Sequence, residues 1–395
     1  MYLGFWILII SVITGQITRV PGLGVATDLL VPVYLGWWAL NALRVRRPVP
    51  FRPIFVWAVV FLGYLLGGLL FRIHEIPAVG GELGSLLYWI RLAAYLALLV
   101  PFADMLDRDR EQTLHQFWWA ICGTGVALSL LGFVQLILFP DFSFMAQYGW
   151  DPHQGRLLST WYDPNFLGGF LGVALSIVTA RVLVHIRAQG MTFLQGSGLV
   201  WLGSIAVMLF ALFLTYSRSA LLAYLIGIGV LTLMLSRIAL VVAIAIVVAA
   251  IGFSPRLQER VQGALELDVT ASLRVENWLE TIEDIEQNPL IGIGYNSTKY
   301  QSIVPSELNS ASGRDSSLLT LWLTSGIIGL SLFVSMIGAQ MLHWVRQGMQ
   351  SKSLIEQTMS YGAIAAWSAI LVHSMFVNSI FFPHILIFLI ILLAI

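Results

Sequence analysis

The sequence predicts an all-α polytopic membrane protein of about twelve transmembrane helices, with one large helical extracytoplasmic loop before the tenth. Three observations predict it. Of 395 residues, 58% are hydrophobic and only 11% charged, with a mean hydropathy of +0.84, a balance no water-soluble globular domain tolerates. Apolar runs follow one another almost end to end, many near the roughly twenty residues a helix needs to cross hydrocarbon. The basic residues crowd onto alternate connections between these runs. Helices must be the spanning element, because a barrel would show short alternating segments.

In chain order the spans fall near residues 1–18, 25–43, 53–71, 83–103, 117–139, 164–184, 198–215, 219–236, 238–253, 316–345, 356–377 and 380–395. The first lacks a basic start and a small-residue cleavage site, so it reads as a retained helix and not a signal peptide. Two apolar runs nearly touch at Arg218, and the last run ends at Ile395 with no polar tail. Arg44, Arg46, Arg47 and Arg52, then Arg108 and Arg110, Arg181 and Arg187, Arg237, and Arg346 with Lys352 mark one side. The other short connections carry Arg19, Arg72, Arg156 and Arg218. The positive-inside rule then places both termini in the cytoplasm and the segment 254–315 outside.

The chain therefore divides into a bundle over 1–253, an extracytoplasmic loop with two short helices over 254–315, and a final group of helices over 316–395. No internal repeat is visible, which weakens a transporter built on inverted halves. A loop of about sixty residues is too long for a mere connector. Within it Leu257, Val261 and Leu265 take helical spacing beside Arg256 and Arg260, as in a helix lying among lipid headgroups. A second helix carries the stripe Val275, Trp278, Leu279, Ile282 and Ile285; Ser272 is placed to cap it, and Asn288 with Pro289 stops it. Gly292 and Gly294 then force a tight turn.

Cys122, the single cysteine, cannot form an intrachain disulfide. The seven histidines are scattered, no metal-binding spacing or Walker loop occurs, and neither metal nor cofactor nor nucleic-acid partner is expected.

The informative residues are charges on the wrong side or inside a span. Arg91 lies inside an apolar run; Arg156 precedes Ser159 to Asn165 on an external loop; Arg218 interrupts Thr215 to Ser219; Arg274 opens the second external helix; Arg314 and Asp315 open the tenth span. Each has a plain explanation, such as a carboxylate partner for Arg91, snorkelling for Arg218 or solvation for Arg274. Together they put several guanidinium forks on one side of the membrane, a chemistry suited to phosphate. Asp315 either caps the tenth span or, held ionised at a low pKa by neighbouring arginines, serves as a base; both roles are open. His373 reads as a core histidine or a substrate contact.

With these residues in view, the chain resembles the bacterial O-antigen ligase and O-antigen polymerase superfamily of membrane glycosyltransferases, over about residues 80 to 395. The likeness is carried by Gly155-Arg156 through Trp161 to Asp163-Pro164-Asn165, by Thr215-Tyr216-Ser217-Arg218-Ser219, by Leu273-Arg274 through Trp278 to Pro289-Leu290-Ile291-Gly292-Ile293-Gly294, and by Asp315-Ser316 followed by Gly326-Ile327-Ile328-Gly329. The resemblance implies a GT-C-like helical bundle and metal-independent, inverting transfer of glycan from a polyprenyl-diphosphate-linked oligosaccharide donor to a glycan or lipid A core acceptor, amid membrane lipid. By the resemblance Arg156, Arg218 and Arg274 match the family's functional arginines and Arg91 falls where a basic residue is similarly placed. With the residue reading above, Asp315, Arg218 and Arg274 are expected in catalysis, and Arg91, Arg156, Arg314, Asn165 and His373 in substrate binding. Many members carry His-Asn where this chain has Asp315-Ser316; Glu276, Glu280 and Glu283 are the fallback bases. An aspartate base and a compact insert favour a surface-polysaccharide polymerase over a ligase, and a flippase for the same lipid-linked saccharide is the competing class.

Overall fold

The computed structural model describes residues 1–20, 24–77, 80–266, 269–300 and 314–395. Fifteen α-helices form among them: α1 Tyr2–Thr14, α2 Ala26–Arg44, α3 Pro53–Arg72, α4 Gly81–Ala97, α5 Leu99–Arg108, α6 Arg110–Leu138, α7 Pro164–Gln189, α8 Ser197–Leu214, α9 Arg218–Met234, α10 Arg237–Phe253, α11 Pro255–Leu265, α12 Val269–Gln287, α13 Ser317–Gln350, α14 Leu354–His373 and α15 Pro383–Leu393. No strand forms among the described residues beyond isolated bridges.

Helix occupies every apolar stretch, but six spans have the length and composition to cross a membrane, or up to seven if the bent pair α10 and α11 counts as one. The sequence expectation of about twelve counts runs; the fold breaks those runs into pieces of unequal reach. The apolar α1, α9 and α15 are shorter than the crossing helices, and α2 carries Pro32. The seam at Arg218 is a real break, with Thr215 ending α8, Ser217 opening α9, and Tyr216 between them at φ 50°.

The centre of the bundle is α7, buried along nearly its whole length. Small residues set its packing: a Cβ on Gly168 would stand 2.7 Å from Ala220 Cβ on α9, and one on Gly169 would stand 2.7 Å from His373 Cε1 on α14. Without side chains at these points the helix backbones approach closely, which is how membrane helices gain dispersion energy without a hydrophobic drive between them.

The segment 254–300 is tied to this bundle at three places. Ser254 caps α11 by accepting from the Leu257 N–H at 3.3 Å, and α11 turns 104° from α10, sinking Leu257 into the core. Leu265, the third residue of that expected stripe, has a side chain outside the described set. Helix α12 starts at or before Val269, so Ser272 lies inside it, donating to the Val269 carbonyl at 3.1 Å, and is not the cap the sequence suggested. The expected apolar stripe of α12 divides: Ile285 is buried and Trp278 packs on Phe376 at 5.6 Å, while Leu279 and Ile282 stay exposed.

The third tie is a notch in α13. At Gly326 the backbone takes φ 65° and ψ −178°, a region only glycine occupies comfortably, about 14 Å along the helix from its start. The turn from Pro289 to Gly294 fills the notch. Ile293 and Gly294 donate their N–H groups to the carbonyls of Leu323 and Thr324 at 3.0 and 3.1 Å, and Ile327 returns its N–H to Pro289 O at 2.8 Å. Tyr64 on α3 donates to Ser325 O at 2.9 Å. Every group that the broken helix would leave bare at membrane depth is costly, and here the turn supplies the partners. Gly292 and Gly294, at φ 76° and 100°, permit its curvature.

Candidate functional site

Packing gathers most of the singled-out cations at the end of the bundle where α7 begins. The loop between α6 and α7 presents Arg156, and its shape is fixed by backbone bonds: Phe142 N–H to His153 O at 2.8 Å, Gly155 N–H to Pro140 O at 2.6 Å and Leu157 N–H to Leu214 O at 2.9 Å. Gln135 Oε1 accepts from Leu158 and Ser159 at 2.8 and 3.2 Å. Ser159 and Tyr162 hold positive φ values of 53° and 59°, the kind of strain that concentrates at functional loops. Asp163 closes the loop, its Oδ1 accepting the N–H groups of Asn165 and Phe166 at 2.7 and 2.9 Å, with Pro164 in the first helical position. That is a strong helix start.

Arg156 donates through Nε to Thr215 O at 2.8 Å and through Nη2 to Asn165 Oδ1 at 3.3 Å. It thereby joins the α6–α7 loop, the α8–α9 break and the head of α7. Across the break Arg218 donates to the Arg260 carbonyl at 3.1 Å. Arg256 donates to the carbonyls of Gly155 and Gln154 at 2.6 and 2.5 Å and lies over the Tyr216 ring at 4.3 Å. Burial, Arg260, and then Arg256 and Arg218 push the Arg156 pKa down to about 10, against the pull of Asp163. Four guanidinium groups at one spot repel one another, and a polyanion placed among them relieves that repulsion.

A second group forms where α12 meets the head of α13. Arg274 Nε stands 4.0 Å from Asp315 Oδ2, and the Asp315 N–H donates to Asn277 Oδ1 at 3.1 Å. The cap of α13 is Ser316, whose Oγ accepts from Leu319 N–H at 3.2 Å; the Asp315 side chain is not the cap. The expected low pKa of Asp315 is reversed as well. Burial, seconded by Asp151, raises it above the usual aspartate range, and Arg274 offsets only part of that rise. His373 is fully buried behind this group, its Nδ1 3.0 Å from Ser379 Oγ.

Asp151, His153 and Asp163 converge on the Arg156 side, with one ligand-type atom from each within 4.8 Å of the others. The sequence scatter of histidines gave no sign of this convergence. Burial and Arg156 push the His153 imidazole down to about 4, so it is neutral at pH 7, and Arg156 with Arg260 sets positive charge against any cation there. Asp151 of this trio also bears on Asp315, adding to the rise of its pKa.

Two of the expected substrate-binding residues are engaged by carboxylates of the chain itself. Arg91 forms a two-pronged pair with Asp28 at 2.7 and 2.8 Å, and Tyr95 donates to the same carboxylate at 2.7 Å, so the paired reading is the one the structure draws. Arg314 is bonded to Glu280 and Asp284 of α12 and anchors that helix. Asp28→Ala is expected to strand the Arg91 cation within the bundle and cost about 3–5 kcal/mol, with the affinity for any donor unchanged in the folded fraction; thermal unfolding in detergent measures the first. Arg256 and Arg260 were passed over as headgroup contacts in the sequence. The signal was present: both break the orientation bias, and their four-residue spacing puts them on one helix face.

The helices define a polytopic membrane protein that is all-helical among the described residues, with guanidinium groups gathered at the end where α7 begins. Residues 203–334 match the family model described as O-antigen ligase, a stretch holding Arg218, Arg256, Arg260, Arg274 and Asp315 but not Arg156. That match supports the O-antigen ligase and polymerase superfamily. No curated protein matches the chain.

Proposed function

We propose that this protein transfers glycan from a polyprenyl-diphosphate-linked oligosaccharide to an acceptor hydroxyl at the extracytoplasmic face of the bacterial inner membrane. The single observation that supports this reading is the convergence of Arg218, Arg256 and Arg260 on the partly buried Arg156, with Asp315 and Arg274 paired at the head of α13. In the reaction, the acceptor oxygen attacks the anomeric carbon as the bond from that carbon to the diphosphate oxygen breaks. The electron pair leaves with the diphosphate, whose growing charge the guanidinium groups stabilise. The hydroxyl proton passes to Asp315, and attack opposite the leaving group inverts the anomeric centre.

Orientation follows from the positive-inside bias, with both termini cytoplasmic and twelve crossings made when the shorter helices complete their passage. The preferred acceptor is a second lipid-linked repeat unit, which makes the enzyme a polymerase; a lipid A core acceptor makes it a ligase. Purified protein given a defined lipid-linked oligosaccharide tests the class. Longer or transferred glycan is expected, whereas intact saccharide moved to the opposite leaflet would mean a flippase.

Arg218→Lys keeps the charge and loses the planar fork. It is expected to lower kcat/KM for the lipid-linked donor by about 10–100-fold, the worth of a charge-assisted hydrogen bond. Steady-state kinetics checks this, and an unchanged kcat/KM would remove Arg218 from the diphosphate site.

A further inference from the structure

The opposite end of the bundle holds a second concentration of anion-binding groups. Arg181 lies on α7 about 27 Å along the axis from Asp163, and the residue is only 8% exposed. Its Nε and Nη1 are buried and find no hydrogen-bond partner among the described residues. No carboxylate pairs with it there either; it is held between the faces of Trp118 on α6 and Trp201 on α8, at 5.3 and 4.7 Å from the ring centroids. Trp118 Nε1 is likewise buried without a partner among these residues.

Arg181 also lines a cavity of about 370 Å³, together with Glu111, His115, His185, Ser353, Leu354 and Ile355. The last three are the start of α14. Ser353 is its N-cap position but makes no side-chain cap bond, so the first-turn N–H groups, on residues that line the cavity, lack the partner a cap would provide. A helix N-terminus carries partial positive charge and favours anions. Here the N-terminal residues of α14 line the same cavity as Arg181, which has two nitrogens without partners among the described residues. The nearby acids do not cancel that charge: Glu356 is taken by Arg110 at 2.6 Å and by Ser351 and Gln347, and Glu111 stands exposed at the rim.

We propose that this cavity is a second binding site, for a phosphate-bearing anion, held by Arg181 and the first-turn N–H groups of α14. Its place at the far end of the membrane-crossing helices, with Leu354 and Ile355 in its wall, suits the phosphate of a lipid headgroup whose acyl chains lie along the bundle. The indole faces fix the guanidinium in place, so little rotamer entropy is lost when an anion binds. None of these residues belongs to the glycan-transfer site, and the proposal stands whether or not the protein transfers glycan.

The test uses the purified full-length protein in neutral detergent, titrated with phosphatidylglycerol and read by native mass spectrometry as lipid copies retained per chain. Arg181→Gln is expected to weaken the tightest copy by about 10–100-fold, and Arg181→Lys to weaken it less. Leu354→Pro gives an independent variant: it deletes one N–H at the first helical position, where proline is tolerated, and Ser353 already has the extended backbone that proline requires of its predecessor. It is expected to weaken the same copy several-fold with an unchanged melting temperature. Arg346→Gln, at an exposed arginine, is expected to change nothing. Inorganic phosphate is titrated in parallel. Displacement of the lipid by millimolar phosphate would assign the site to a soluble phosphate, and no displacement would assign it to the headgroup. Lipid retention that is the same in wild type, Arg181→Gln and Leu354→Pro overturns the proposal and leaves Arg181 a packing residue between two indoles.

Discussion

Asp315→Asn is expected to reduce glycan transfer by about 10²–10⁴-fold, the usual contribution of a positioned general base, while leaving the fold intact. The second half of that expectation comes from the cap. Ser316, not Asp315, accepts the first-turn N–H of α13, and the bond from the Asp315 N–H to Asn277 Oδ1 is a backbone bond that asparagine keeps. The pKa supplies a sign. A carboxyl group whose folded pKa is raised binds its proton more tightly in the native state. Its stabilising contribution is full below the unfolded aspartate range and is lost as pH rises through the raised value. At neutral pH ionised Asp315 therefore costs stability, modestly because its side chain is 53% exposed and solvent screens it. The asparagine variant should melt at the same temperature or slightly above wild type. The rate of the wild type should fall on acidification with a midpoint above about 3.9, the ordinary aspartate value. Near-normal turnover in the variant would remove Asp315 from the mechanism and turn attention to Glu276, Glu280 and Glu283.

Gly326→Ala is expected to be the most damaging single substitution in the described structure. The new Cβ would fall 2.0 Å from Leu290 O and 2.4 Å from Ile291 N, both backbone atoms with no rotamer to yield, and φ 65° with ψ −178° is a conformation alanine avoids. Strain of this kind costs about 1–3 kcal/mol by itself. Expelling the Pro289–Gly294 turn would add the bare amide and carbonyl groups of the notch, each worth about 1–3 kcal/mol when buried without a partner. Loss of several kcal/mol should be visible as a lowered melting temperature in detergent and as new protease cleavage between α12 and α13. Gly36, where a Cβ meets nothing within 4 Å, serves as the comparison, and Gly36→Ala should be silent. An equal response from both positions would mean that the notch carries no special burden.

Much of the bundle was legible because hydropathy is a local property. Each apolar run became helix, Asn288 with Pro289 ended α12, and Gly292 with Gly294 made the expected turn, all from chemistry within a few residues. How far each run reaches was less legible, because breaks such as Tyr216 and Gly326 depend on distant partners: Gly326 tolerates its conformation only with Leu290 and Ile291 packed against it. The site divides in the same way. The orientation rule singled out Arg156, Arg218 and Arg274 as misplaced cations, but which carboxylate each would meet is a tertiary fact. Arg91 met Asp28 and left the group, Arg314 met Glu280 and Asp284, and Arg256 and Arg260 joined through α11. The pKa of Asp315 was misjudged because counting nearby arginines ignores burial and the approach of Asp151 from the α6–α7 loop.

The plugged notch in α13 also bears on modularity. Residues 255–300 look transplantable, a cap of two helices set on a bundle, yet the turn at 289–294 completes the hydrogen bonding of another element inside a membrane-crossing helix. Exchanging that cap alone between homologous proteins would leave a wound in the recipient's buried helix and an unmatched peg on the donor piece. A working chimera would have to carry the opening turns of α13 and the Tyr64 face of α3 along with it.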